Sequence, residues 1–171
     1  YGFAASGTSI VTQRKNNIWF ATGGDKARIF HSSNGGNSWV VFPTPMASGN
    51  ASSGIFSISF RDSLNGIAVG GDYQNPDAGV PALMRTTDGG KTWEAIQGER
   101  TNGHKACVQY LGEEIYLAAG RTGVIWSKDD GLNWEKISTD PYYTICFDET
   151  SKAGYMAGPE GRIARFKLKS R

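Results

Sequence analysis

The sequence predicts an all-β fold of β-propeller blades, about four of them, each a four-stranded antiparallel meander. Three observations carry that prediction. An eight-residue segment recurs three times, as SSNGGNSW (32–39), TTDGGKTW (86–93) and SKDDGLNW (127–134). A short apolar run ending in glycine recurs four times, as NIWFATGG (17–24), NGIAVGGD (65–72), EIYLAAGR (114–121) and AGYMAGPE (153–160). A further unit precedes each of these: FAASGTSIV, IFSISF, KACVQY and YYTICF. Short strands and glycine-rich turns repeating about every forty residues are the pattern of blades, which bury their faces only by stacking.

Composition agrees with this class. Among 171 residues there are 23 glycines, 12% aromatics and only 20% charged residues, which suits many tight turns. No long stretch has helical apolar spacing, so almost no helix is expected. A net charge of +2, evenly spread, argues against nucleic acid or an anionic membrane as partner. No run approaches the ~18 apolar residues of a membrane span. The sequence begins at Tyr1 with neither an initiator Met nor a signal peptide, so a mature or truncated product is expected. Cys107 and Cys146 match no metal spacing and fall one residue out of phase on equivalent strands. That predicts free buried thiols rather than a disulfide.

Each copy follows one order: strand a, turn, strand b, loop, strand c, turn, strand d. The blades fall at about 1–45, 54–97, 104–138 and 142–171, and the last stops after strand c. By repeat spacing Arg165 stands there where Ser127 stood, and no Gly-x-x-Trp follows. The eight-residue segment is the hairpin between strands c and d. Ser32, Thr86 and Ser127 supply a hydroxyl that ties the incoming strand to the turn. Asn34, Asp88 and Asp129 accept backbone N–H groups, as in Asx-type turns. Gly36, Gly90 and Gly131 take the positive φ that a Cβ resists. Trp39, Trp93 and Trp134 lie over the hairpin and pack on the neighbouring blade, each burial worth at most about 4–6 kcal/mol. Asn34 keeps the acceptor without the charge, which marks a turn-former rather than a catalytic acid.

This S/T-x-D/N-x-G-x-x-W turn resembles the Asp-box, or BNR repeat, of sialidases, sortilin-type receptors and the photosystem II assembly and stability factor family. The blade FRDSLNGIAVGG (60–71) followed by MRTTDGGKTW (84–93) is most similar to the last group and its exported bacterial relatives. Some of those relatives carry oxidoreductase or glycosyl hydrolase labels. The resemblance spans the chain and implies a propeller of about seven blades, of which these four would be the C-terminal part. A four-bladed ring and two half-rings closing as a dimer are the alternatives. An open fragment would leave apolar faces and strand edges exposed, favouring self-association. The resemblance also implies a periplasmic or secreted location, with ligands bound on the face away from the Asp-boxes.

Connectivity puts the b–c and d–a loops on that second face. The second blade's b–c loop is the longest, and long irregular loops concentrate binding residues. Asp72, Tyr73, Asn75 and Asp77 on this loop, with Lys26, Arg100, His104 and Arg121, form the candidate recognition surface. The competing reading is a solvated loop that only packs on the next blade.

Catalytic chemistry finds little support. A sialidase-like site needs an arginine cluster with a Tyr/Glu pair and an acid. Arg28, Arg85, Arg121, Arg162 and Arg165 are not spaced to meet at one spot. Arg85 shares its strand-c position with His31, Trp126 and Ala164. Glu113 and Glu114 belong to an a–b turn on the Asp-box face. His31 and His104 lack metal-ligand spacing, so no metal is expected, and no G-x-G-x-x-G follows a strand, so no dinucleotide cofactor is either. Asn50-Ala51-Ser52 is a glycosylation sequon of low specificity. The expectation is a non-catalytic binding or assembly-factor-like module that docks a protein partner. The alternative is a glycoside hydrolase or carbohydrate-binding propeller related to sialidases.

Overall fold

A computed structural model describes Gly2 and residues 7–169, all-β apart from two three-residue 3-10 turns at Glu99–Thr101 and Pro159–Gly161. Four antiparallel sheets follow one another along the chain. The first has β1 (Ile10–Gln13), β2 (Asn17–Ala21), β3 (Arg28–Ser32) and β4 (Val40–Pro43) in consecutive order. The second has β5 (Ser53–Phe60), β6 (Gly66–Asp72), β7 (Leu83–Thr86) and β8 (Glu94–Ala95). The third has β9 (Cys107–Gly112), β10 (Ile115–Gly120), β11 (Gly123–Ser127) and β12 (Glu135–Ser138). The fourth has only β13 (Thr144–Asp148), β14 (Ala153–Ala157) and β15 (Ile163–Lys167). The early part of the first copy's expected strand a, Phe3–Ser6, lies outside the described residues.

The period-two alternation of each strand sends successive side chains to opposite blades. Trp19, Ala21 and Ile29 of the first blade meet Ile55, Ile58, Phe60, Ala68 and Met84 of the second. On the second blade's other face Ile67, Val69 and Leu83 meet Val108, Tyr116, Ala118 and Ile125 of the third. Leu117, Ala119 and Val124 then meet Tyr142, Ile145 and Met156 of the fourth. The core is thus three interfaces between blades. The inner strands are also tied together: Val108 N–H donates to Ser57 Oγ at 3.0 Å and Tyr110 N–H to Ser59 Oγ at 2.9 Å.

Strand b ends in glycine because strand a of the same blade crosses it there. A Cβ on Gly70, Gly120 or Gly158 would overlap the carbonyl oxygen of Gly54, His104 or Pro141 respectively.

The three c–d turns share one bond set. The hydroxyls of Ser32, Thr86 and Ser127 accept from the N–H of Gly36, Gly90 and Gly131 at 2.8, 2.9 and 2.9 Å. They donate to Asn34, Asp88 and Asp129 at 2.9, 2.9 and 2.8 Å. Those acceptors also take the N–H of Ser38, Thr92 and Asn133. Each indole N–H closes the turn on the carbonyl of Gly36, Gly90 or Gly131. Partial burial alone would raise the Asp88 and Asp129 carboxyl pKa values, yet these hydrogen bonds outweigh it and hold both below the ordinary range.

The second and third turns also grip the blade before them. Trp19 donates its indole N–H to Gly89 O at 2.8 Å, with its ring stacked between His31 and Phe60. At the next junction the position of Gly89 is taken by Asp130, held at φ 61. Its carboxylate receives Arg61 at 2.9 Å and Arg85 at 3.2 Å, both from the second blade. Arg85 is therefore an inter-blade clamp.

Several expectations change. Trp93 and Trp134 are 7% and 4% exposed between blades, but Trp39 is 39% exposed and packs edge-on to Phe20 of its own blade. No described residue stands on that flank to bury it. Cys107 is buried as expected, whereas Cys146 is exposed because its half-turn of phase points it away from the third blade. The strand register sets Phe166, not Arg165, opposite Gly154, as Thr86 is opposite Gly66 and Ser127 opposite Tyr116. The 3-10 turn at Pro159–Gly161 inserts the extra residue that repeat counting missed. Arg165, not Ala164, is consequently the counterpart of Arg85.

Removing Trp93 by substitution to Ala should cost about 3–5 kcal/mol, as for other buried aromatics, while Trp39→Ala should cost about 1 kcal/mol or less. Urea unfolding of both variants measures the difference.

Candidate functional site

The long loop 72–81 does not float in solvent. Asp72 opens it with an Asx turn, accepting from Gln74 N–H at 2.9 Å and Asn75 N–H at 3.3 Å. Its other oxygen takes the Asn50 side-chain amide at 3.3 Å, linking the loop to the connection from the first blade. The loop then crosses to the third blade. Pro76 O accepts His104 N–H at 2.9 Å, Tyr73 O accepts Arg121 Nη1 at 3.0 Å, and Pro81 bridges Asn102. Gly71, at φ 111, and Gly103, at φ 84, let the two backbones approach: a Cβ on Gly71 would press on His104 Cα at 3.2 Å.

Beneath the loop lies a polar core that sequence inspection did not find. Lys105 is fully buried, its ammonium donating to Thr122 Oγ1 at 2.6 Å and, more weakly, to the carbonyls of Asn102 and Gly103 at 3.4 Å. Burial first, and then Lys136, lower its pKa to about 8, against the pull of Asp77. The only sequence signal was a lysine directly before an apolar strand, where the repeat places a buried position. His104 is 3% exposed, and its ring meets Phe56 edge-on at 4.7 Å; Phe56 in turn meets Tyr73 at 6.2 Å. Among the described residues neither His104 ring nitrogen has a hydrogen-bond partner. His104 was expected on the recognition surface and is instead a support beneath it.

The candidates therefore divide. Asp72, Tyr73, Asn75, Asp77 and Arg121 gather at the junction of the second and third blades, with Asn75, Asp77 and Arg121 exposed. Asp72 is committed to holding the loop. Lys26 lines a separate cleft of ≈ 360 Å³ with Thr22, Asp25, Arg28 and Phe30. Arg100 lines another of ≈ 340 Å³ with Ile96, Glu99, Leu132 and Trp134. Among the described residues no group of three or more His, Cys, Asp or Glu is placed to hold a metal ion. Among the described residues no helix is long and apolar enough to cross a membrane. Glu113 and Glu114 occupy a turn at φ 50 and 64 on the Asp-box face, away from this loop.

No protein-family model matches the chain, and no curated protein does. Solved structures do. One described as YCF48 bound to D1 peptide superposes with a TM-score of 0.64 at 19% identity, over 97% of this chain and 54% of its own. The fold is a β-propeller. The GH74 enzyme of Niastella koreensis gives a TM-score of 0.66 at 18% identity, over 89% of this chain and 27% of its own. A NanB sialidase from Streptococcus pneumoniae gives 0.53 at 15%, over 92% and 27%. At such identities the likeness carries the fold, and the chain spans about half the length of YCF48. These neighbours agree with the resemblance to photosystem II assembly factors and sialidase-type propellers drawn from the Asp-boxes.

Burial, reinforced by the charges of Lys105 and Arg121 and opposed by Asp72, pushes the His104 imidazole down to about 4. The unfolded chain, with a histidine pKa near 6.5, then binds the proton first. Stability should fall as pH drops from about 6.5 toward about 4. His31, lowered by burial and by Lys91, should add a smaller part. In His104→Phe most of that slope should vanish, as read by urea midpoints across the window.

Proposed function

We propose that this chain is a non-catalytic docking module that presents its loop face to a protein partner. The observation that carries the reading is the anchoring of loop 72–81 across the second and third blades through Pro76, Tyr73 and Pro81. A loop held this way loses little conformational entropy on binding, which is what a recognition platform needs. Asn75, Asp77 and Arg121 offer hydrogen bonds and both signs of charge beside the half-buried Tyr73 ring. That mixture suits a polar peptide segment. The likeness to YCF48, solved with D1 peptide, supports a protein partner without identifying one here. By family resemblance the module works in the periplasm or outside the cell.

The carbohydrate-processing alternative draws on the GH74 and sialidase neighbours. The geometry does not favour it. Asp72 is spent within the turn, which leaves Asp77 without a second loop carboxylate to share acid and base roles. The flanks of the end blades, with Val40 56% and Ile163 72% exposed, also support self-association or the docking of further blades.

A phage-displayed peptide library selected on the chain tests the reading. Selected peptides should bind with micromolar affinity, and Arg121→Ala or replacement of residues 72–81 by the short third-blade loop should weaken them at least tenfold. Unchanged affinity in both variants, or turnover of an aryl glycoside by the parent chain, would overturn it.

A further inference from the structure

The imidazole of His104 is wedged between loop 72–81 and the blades beneath it. The ring lies edge-on to Phe56 of β5 at 4.7 Å, while the His104 backbone N–H holds Pro76 O of the loop at 2.9 Å. Backbone crossings close the surroundings: a Cβ on Gly103 would meet Pro76 O at 3.0 Å, and one on Gly71 would meet His104 Cα at 3.2 Å. A neutral imidazole fits such a site. An imidazolium carries two N–H donors that need acceptors or water, and among the described residues neither ring nitrogen has a hydrogen-bond partner.

The charges facing the ring do not compensate an added proton. Lys105 on its own segment repels it, and so does Arg121 from the turn between β10 and β11. Asp72 of the loop attracts it, but that carboxylate already accepts from Gln74 N–H, Asn75 N–H and the Asn50 amide. Asp77 acts on Lys105. Tyr73 turns its ring to Phe56, and its carbonyl is taken by Arg121. β5 faces the imidazole with Phe56, which is uncharged.

The loop is the part of this site that gives way at least cost. Residues 73–80 belong to no strand, and Gln74, Asn75, Asp77, Ala78 and Gly79 are exposed. The bonds Tyr73 N–H to Ser52 O, Arg121 to Tyr73 O and His104 N–H to Pro76 O hold the stretch down. Gly71 and Gly79, at φ 111 and 68, stand near its two ends as hinges. A segment with few buried apolar contacts opens more readily than the strands around it.

We propose that loop 72–81 is an acid-operated latch: protonation of His104 releases residues 73–80 from the second and third blades and hydrates the imidazolium, while the sheets beneath stay folded. Release dismantles the anchored platform and makes docking on this face acid-sensitive. That consequence rests on the loop-face reading, whereas the opening itself does not. In the closed form the imidazole is pushed down to about 4, against about 6.5 in water. The closed form is therefore fully favoured above about 6.5 and loses ground as pH falls from there toward about 4. The open-to-closed ratio should rise about twentyfold from pH 7 to pH 5.

Amide hydrogen exchange on the intact chain tests the latch without any partner, expressed as protection factors so that the intrinsic effect of pH is removed. Protection at Tyr73 and His104, whose N–H groups bond Ser52 O and Pro76 O, should fall about twentyfold between pH 7 and pH 5. That exchange should be insensitive to urea up to about 1 M, because local opening exposes little surface. Ala106 and Val108, bonded to Ala119 O and Ser57 Oγ, should remain at least about a hundredfold better protected at pH 5 and should respond to urea. In His104→Phe, or in His104→Gln should the first not fold, the pH dependence at Tyr73 should disappear. The proposal is overturned if the fall is less than about threefold, or if the pH dependence survives in the variant. It is also overturned if Tyr73 and His104 exchange with the same urea dependence as Ala106, which would show that only global unfolding exposes them.

Discussion

A four-stranded sheet of this size has two faces and no helix to cover either, so each blade depends on its neighbours for burial. The second and third blades show the consequence. Along β6 every residue from Gly66 to Gly71 is buried, because Ile67 and Val69 face the third blade while Ala68 faces the first. Among the described residues the end blades are covered on one side only, and β15 accordingly alternates exposed and half-buried positions. Stability is therefore shared between junctions, and no blade carries its own core.

The Asp-box turn is the local device that makes stacking specific. Its internal bonds fix the hairpin without help from outside, and its outer carbonyl or side chain then grips the preceding blade. The two junctions solve this differently. At the first, a neutral indole N–H meets the backbone of Gly89; at the second, two arginines meet the Asp130 carboxylate. Burial raises the Asp130 pKa while Arg61 and Arg85 pull it down, and its Oδ1 has no hydrogen-bond partner among the described residues. A non-glycine residue at φ 61 is tolerated there because its side chain replaces the backbone contact made by Gly89.

Much of this was legible in the sequence, since the hydroxyl, acceptor, glycine and indole of each turn must keep their spacing for the bonds to form. What escaped had physical causes. Trp39 repeats the motif but not the environment, because motif spacing encodes the turn and says nothing of the neighbour. One extra residue at Pro159–Gly161 shifted the fourth strand c against simple counting. Arg61 and Asp130 come from different blades, so no local spacing links them. In the loop region, length alone pointed to residues 72–81. The burial of His104 and Lys105 depends on close backbone crossings at Gly71, Gly103 and Gly120, which become visible only in three dimensions.

The most direct test of blades clamped by Asp-box turns is a double-mutant cycle between Arg85 on the second blade and Asp130 on the third. Arg85→Met, Asp130→Asn and the double variant, compared by urea unfolding, should show a coupling of about 1 kcal/mol or more. Additivity within about 0.3 kcal/mol would contradict it, because the two side chains would then not meet across a blade junction.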